Sequence, residues 1–172
     1  MIMRSQMNIN DPTRTPAPAD LVTVRNEAIT GQRGHMHRFE VVGEVDGCTY
    51  VNDSASTFLD AALESLSRVQ GRVVWICGMQ PMSVVTGDML ALVQDKVEVL
   101  VVFGEQGSEV GSVPDGTDPT YYAKELRTAV FLAHELAQQG QTVLFSPACP
   151  SGHGFANYEE RGMEFKRAVK DL

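Results

Sequence analysis

The apolar positions of this chain fall into runs of different period, and their order along the chain already suggests an architecture. Residues 37–53, "HRFEVVGEVDGCTYVND", read as two β-rich stretches separated by Asp46-Gly47. Asp-Gly between such stretches predicts a hairpin, because a type I′ turn needs positive φ at both central residues. From Ser56 the period lengthens: Leu59, Ala62, Leu63 and Leu66 share one helical face, with Ser54 or Ser56 available as N-cap. Three later runs read as buried strands: "RVVWICGM" at 72–79, continuously apolar from Val73, then "VEVLVVFGE" at 97–105 and "QTVLFSP" at 141–147. Such runs are the pattern of strands buried on both faces of a parallel sheet. Between them lies a weaker helical stretch at 83–96, interrupted by Gly87. A stronger one starts at Lys124, with Leu126, Ala129, Val130, Ala133 and Leu136 on one stripe and Gly140 as its stop. Residues 155–172 predict a closing helix that packs Tyr158, Phe165 and Val169 and ends in cations suited to its dipole. Strands alternating with helices after a hairpin predict an α/β fold, a three-layer domain whose mostly parallel sheet is flanked by helices.

Ahead of that pattern the chain reads differently. Residues 1–20 are polar and proline-punctuated with no period, which predicts a flexible tail. Residues 21–36 predict a short linker helix ending near Gly31 or Gly34, and 37–172 the domain proper. In parallel sheets ligands bind beyond the carboxyl ends of the strands. Three loops are expected there: "NDSAST" (52–57), "CGMQPMS" (77–83) and "SPACPSGHG" (146–154).

Composition narrows the chemistry. Of 172 residues, 43% are apolar and 21% charged, as in an ordinary globular protein. A net charge of −8 with no basic cluster argues against nucleic acid and anionic membrane as partners. An anion would have to be held in a local pocket. Cys48, Cys77 and Cys149 follow no metal-ligand spacing and are odd in number, which predicts reduced thiols and no metal. No secretory leader and no bilayer-length apolar run is visible, so a cytoplasmic location is expected. Cys149 and His153 do not make a thiol nucleophile, because no third group is identifiable to orient the imidazole.

Read together, "HRFEVV" (37–42), "VNDS" (51–54), "WICGM" (75–79), "FSPACPS" (145–151) and "FANYEERGMEF" (155–165) resemble, in order and spacing, the C-terminal domain of the Mur ligases of bacterial peptidoglycan synthesis. The resemblance covers His37 to Leu172 and is nearest to the D-glutamate-adding members. It implies a Rossmann-like fold and a share in an ATP-dependent ligation, in which a carboxylate becomes an acyl phosphate that an amino acid's amine attacks. Carried over by matching motif, His37, Arg38 and Asp53 fall where the family meets the nucleotide. Thr57, Ser151 and Tyr158 fall where it holds the amino acid. The residue types suit those roles: Arg38 can give planar, charge-assisted bonds to phosphate, and Ser151 can bind a carboxylate beside the last helix's N–H groups.

Two departures bear on that expectation. Ala55 stands where the family usually shows a lysine, and Pro81 lies near the position of a second lysine. These 172 residues also contain no G-x-x-x-x-G-K-[ST] loop to cradle ATP phosphates. The expectation is a domain with no catalytic residue of its own and inactive alone, part of a split or truncated ATP-dependent amino-acid ligase. Mg-ATP would then matter only with a partner chain that supplies the phosphate-binding domain. The alternatives are a non-catalytic module for an amino acid, a peptidoglycan precursor or a protein, and a relic that still folds.

Overall fold

The structure, a computed structural model, describes residues 36–78, 87–104, 119–152 and 154–172. The expected tail, the linker helix up to His35, most of the "CGMQPMS" loop and His153 lie outside the described residues. The hairpin forms as expected, with β1 (Glu40–Val45) antiparallel to β2 (Cys48–Asn52). Its turn residues have φ of 48° at Asp46 and 78° at Gly47, the pair of positive values that Asp-Gly permits. A register shift between Val41 and Gly43 marks a bulge in the edge strand β1.

Helix α1 (Leu59–Arg68) buries Ala62, Leu63 and Leu66, three of the four residues on the expected stripe, and leads to β3 (Val73–Gly78). Its N-cap corrects the expectation. The capping position is Phe58, with no side-chain cap, because Ser54 and Ser56 direct their hydroxyls elsewhere. Helix α2 (Gly87–Lys96) and β4 (Val97–Phe103) follow. Strand β5 (Thr120–Ala123) was not expected from the pattern; then come α3 (Leu126–Leu136), β6 (Thr142–Phe145) and α4 (Tyr158–Lys170).

The six strands form one sheet in the order β1-β2-β6-β3-β4-β5, all neighbours parallel except the hairpin. All six residues of β3 are buried, as a continuous apolar run requires, and they alternate between two cores. Val74 and Ile76 meet Phe145, Leu126, Ala129, Val130 and the α4 residues Phe165, Ala168 and Val169. Val73, Trp75 and Cys77 meet Ala62, Leu63 and Leu66 of α1 and Val93 of α2. The domain therefore has three layers, with α1 and α2 on one face and α3 and α4 on the other.

Strand β6 continues to α4 on one face, while β2 and β3 on either side of it continue to α1 and α2 on the other. Adjacent strands whose chains leave toward opposite faces open a crevice at their carboxyl ends.

Candidate functional site at the carboxyl edge of the sheet

At the end of β2 the chain turns on Asp53, which is 3% exposed. Its Oδ2 accepts hydrogen bonds from the hydroxyls of Ser56 (2.5 Å), Ser65 (2.6 Å) and Ser146 (2.8 Å). Its Oδ1 accepts one from the Phe39 N–H at 3.0 Å. One carboxylate thus ties together the loop after β2, α1, the loop after β6 and the start of β1. An ionised acceptor suits four donors, since bonds to a charged group are about twice as strong as neutral ones. Among the described residues Oδ2 takes three of the four donors and Oδ1 takes one.

A buried cation joins the same loops from the other side. Arg161 in the first turns of α4 is 1% exposed. Its Nε donates to Ser54 Oγ at 3.1 Å and its Nη2 to the Ser54 carbonyl at 2.9 Å. Its Nη1 donates to the carbonyls of Cys149 and Pro150, both at 3.1 Å, and lies 3.6 Å from Cys149 Sγ. These partners are all neutral. Burial lowers the guanidinium's proton affinity, and the Cys149 side chain acts weakly the other way. Burial also raises the Cys149 thiol, with Arg161 opposing. The Cys149 and Cys77 thiols are buried and free, and burial pushes Cys77 strongly upward as well. Neither is a reactive thiolate.

Further bonds complete the interlock. Ser54 Oγ donates to the Tyr158 carbonyl at 2.8 Å, Ala148 N–H to the Ser56 carbonyl at 3.0 Å, and Ala55 N–H to the His37 carbonyl at 2.9 Å. Gly78 at the end of β3 donates to the Pro147 carbonyl at 2.8 Å, and a Cβ there would overlap Cys149 Sγ. Glycine is required by that close approach.

The six residues singled out from sequence stand on this edge as follows. His37 is 2% exposed with φ of 65°, its ring against Gly162 and edge-on to Tyr158 at 6.4 Å. Arg38 is exposed, and its charge acts on the Tyr158 phenol. That phenol is nonetheless raised, by its hydrogen bond to Glu159. Asp53 is the buried hub. Thr57, Ser151 and Tyr158 are half-buried, on the β2–α1 loop, the β6–α4 loop and the first residue of α4. The hydrogen bonds described above join the segments that carry them.

The expectation for Ser151 changes in one respect. Helix α4 begins only at Tyr158, and Asn157 already accepts the Glu160 N–H at 2.8 Å as N-cap. Ser151 is therefore separated from the helix end by a loop, and part of that end is already satisfied.

Sequence reasoning missed Arg161, Asn52, Ser54, Ser65 and Ser146. A signal for Arg161 was present. It shares the stripe of Phe165, Ala168 and Val169, and it places a cation near a helix N-terminus, where the dipole disfavours it. A charged residue at such a position needs dedicated acceptors. The serines carry no comparable signal.

Among the described residues no group of three or more His, Cys, Asp or Glu could hold a metal, and no helix is long and apolar enough to cross a membrane. The fold and this edge define a three-layer α/β domain in which the loops after β2 and β6 interlock at the carboxyl edge of the sheet. Comparison with known proteins makes the class specific. The family profile described as "Mur ligase, glutamate ligase domain" matches residues 37–149. A UDP-N-acetylmuramoylalanine--D-glutamate ligase from Chlorobium limicola is 40% identical over 150 residues, 87% of this chain and 32% of the relative. One from Chlorobium phaeobacteroides is 36% identical over 173 residues, 98% of this chain and 37% of the relative. A murein peptide ligase from Psychrobacter arcticus shares the fold, with a TM-score of 0.52 at 13% identity over 79% of this chain and 30% of that one. This chain belongs to the Mur ligase family and contains its C-terminal domain. It spans about a third of the length of the curated relatives it matches.

Proposed function

We propose that this domain is the amino-acid-receiving part of an ATP-dependent ligase related to the D-glutamate-adding enzymes. It acts together with a phosphate-binding domain that these 172 residues do not contain, and these residues are inactive without it. In this reading His37 and Arg38 meet the nucleotide, with Asp53 contributing through Oδ1, which accepts one hydrogen bond among the described residues. Thr57, Ser151 and Tyr158 line the place of the amino acid. The carrying observation is the interlock of the three segments bearing these residues through Asp53 and Arg161. A prepared arrangement of this kind lowers the ordering cost of holding a small polar ligand.

The test pairs the 172-residue chain with the part of the Chlorobium limicola relative that this chain does not match, expressed separately. ADP release is measured with Mg-ATP, a UDP-muramoyl peptide and a panel of amino acids. Release that needs both chains and one amino acid supports the reading. Two chains that associate and yet stay inactive with every amino acid would sink it.

A second reading, a binding module without catalysis, is favoured by one observation. Where a lysine would bring a cation, Ala55 brings only a backbone N–H, already bound to His37. It predicts binding without a second chain. An amino acid at about 100 times its Kd adds about 2.7 kcal/mol. At this size that raises the melting temperature by about 5–10 °C. The first reading predicts no such shift for the chain alone.

A further inference from the structure

Asn52 closes β2 and is fully buried. Its Nδ2 lies 2.9 Å from His37 Nδ1, 3.2 Å from Glu40 Oε2 and 3.3 Å from the Gly162 carbonyl oxygen. Its Oδ1 accepts the Ser54 N–H at 3.3 Å. These neighbours fix which way the amide points. Turned over, Oδ1 would face a carboxylate and a carbonyl oxygen, neither able to donate, and the NH2 would face an N–H. Lys166 Nζ, 2.6 Å from Glu40 Oε1, keeps that carboxylate charged and acceptor-only. Burial tends to raise the Glu40 carboxyl, but Lys166 and the His37 N–H together hold it below its usual range.

An amide NH2 can only donate, so His37 Nδ1 receives the bond with its lone pair. The ring proton of neutral His37 is then on Nε2. A second proton on Nδ1 would point at the hydrogens of the Asn52 amide, and burial opposes charging of the ring as well. The ring cannot easily rotate out of this arrangement, since Gly162 packs directly against it and Tyr158 meets it edge-on. The backbone of His37 is in the left-handed region, a conformation maintained by the Ala55 N–H on its carbonyl and Glu40 Oε2 on its N–H. Strained backbone of this sort is retained where the surroundings over-determine it, commonly at functional sites.

We propose that Asn52 is a positioning residue that fixes His37 as the neutral imidazole protonated at Nε2, so that His37 meets a nucleotide oxygen as a hydrogen-bond donor and never as a base. The nucleotide part rests on the function proposed above; the tautomer does not. Asn52 touches no ligand in this scheme and acts through the histidine.

Long-range proton–nitrogen NMR of the 172-residue chain with 15N-labelled histidine reads the tautomer directly. The His37→Gln variant assigns the His37 signals among the four histidines. Wild type is expected to show a pyridine-like Nδ1 and a protonated, pyrrole-like Nε2. Asn52→Asp replaces the donor by an acceptor and is expected to put a proton on Nδ1. Asn52→Leu removes the bond and is expected to leave a mixture of tautomers. An Nδ1–H tautomer or a mixture in wild type overturns the proposal, whatever the variants do. So does an Nε2–H signal unchanged in whichever variant keeps the wild-type backbone spectrum. Mg-ATP added with the second chain of the previous test should then shift the Nε2–H signal. Absence of that shift with the tautomer intact would refute the nucleotide contact and leave the role of Asn52 standing.

Discussion

Replacing Arg161 by methionine tests how the carboxyl edge is held together. The guanidinium makes four bonds to oxygen at 2.9–3.1 Å, to Ser54 Oγ and to the carbonyls of Ser54, Cys149 and Pro150. At about 1.5–3 kcal/mol for each charge-assisted bond, the gross loss is about 6–12 kcal/mol. Against that stands the desolvation of a buried ion, several kcal/mol, with only neutral partners to offset it. Methionine fills much of the same volume and removes that penalty. It leaves three carbonyls without this donor, of which the Pro150 one lies near the surface and can be hydrated. We expect a net destabilisation of about 2–4 kcal/mol, within the range for disrupting a buried polar network. Urea unfolding should show a lower midpoint with an unchanged slope, since the surface exposed on unfolding is nearly the same. Arg161→Lys keeps the charge but loses the fork, and buries a more strongly hydrated ion. It should be no more stable than the methionine variant. If the methionine variant lies within 0.5 kcal/mol of wild type, or the lysine variant is clearly the better of the two, the fork does not brace these loops.

Other perturbations address single contacts. Asp53→Asn keeps the shape but replaces a charged acceptor of three hydroxyls; a loss of about 2–4 kcal/mol in urea unfolding is expected. An unaffected midpoint would mean the hydroxyl cluster contributes nothing. Gly162→Ala should destabilise by about 1–3 kcal/mol despite the better helix propensity of alanine, because its Cβ would overlap the His37 ring. A gain in melting temperature would contradict that packing. Gly78→Ala should cost a similar amount, about 1–3 kcal/mol, through Cys149 Sγ and the Pro147 carbonyl. Acid should weaken the fold in two steps. His37 is lowered from 6.5, chiefly by burial and also by Lys166, with Glu40 and Glu159 pulling the other way. The unfolded chain therefore binds the proton first, and stability falls as pH drops through about 6.5. Glu40 is held below 4.5, so its share is present above that value and is lost as pH falls through its lower native one. His37→Gln should remove the first step, and urea midpoints measured from pH 8 to 4 would show whether it does.

How much of this was legible in the sequence follows from the kind of signal each element carries. The three buried strands β3, β4 and β6 announce themselves because a strand covered on both faces is made mostly of apolar residues, and "VVWICG" is apolar throughout. The hairpin was legible because two adjacent positive φ values need Asp-Gly or a close equivalent. Strand β5 was not, since "TYYA" is four residues long at the sheet edge, with both tyrosines exposed and no periodicity to read. The α1 cap failed for a different reason. Ser54 and Ser56 satisfy the local rule for an N-cap, but the Tyr158 carbonyl at the start of α4 takes the Ser54 hydroxyl and the buried Asp53 carboxylate takes that of Ser56, and nothing local reveals either competitor. The site divides the same way. Its positions came from motif spacing, whereas its construction depends on pairs distant in the chain: Asp53 with Ser146, Ser54 with Arg161, Asn52 with Gly162. Each such pair joins two groups whose partners only the fold can bring into reach. Asp53 shows the consequence most clearly. A sequence motif marks it as a candidate ligand residue, yet its geometry makes it first of all the residue that holds the candidate ligand loops in place. Loss of activity on its substitution therefore proves nucleotide contact only if the fold is shown to be intact.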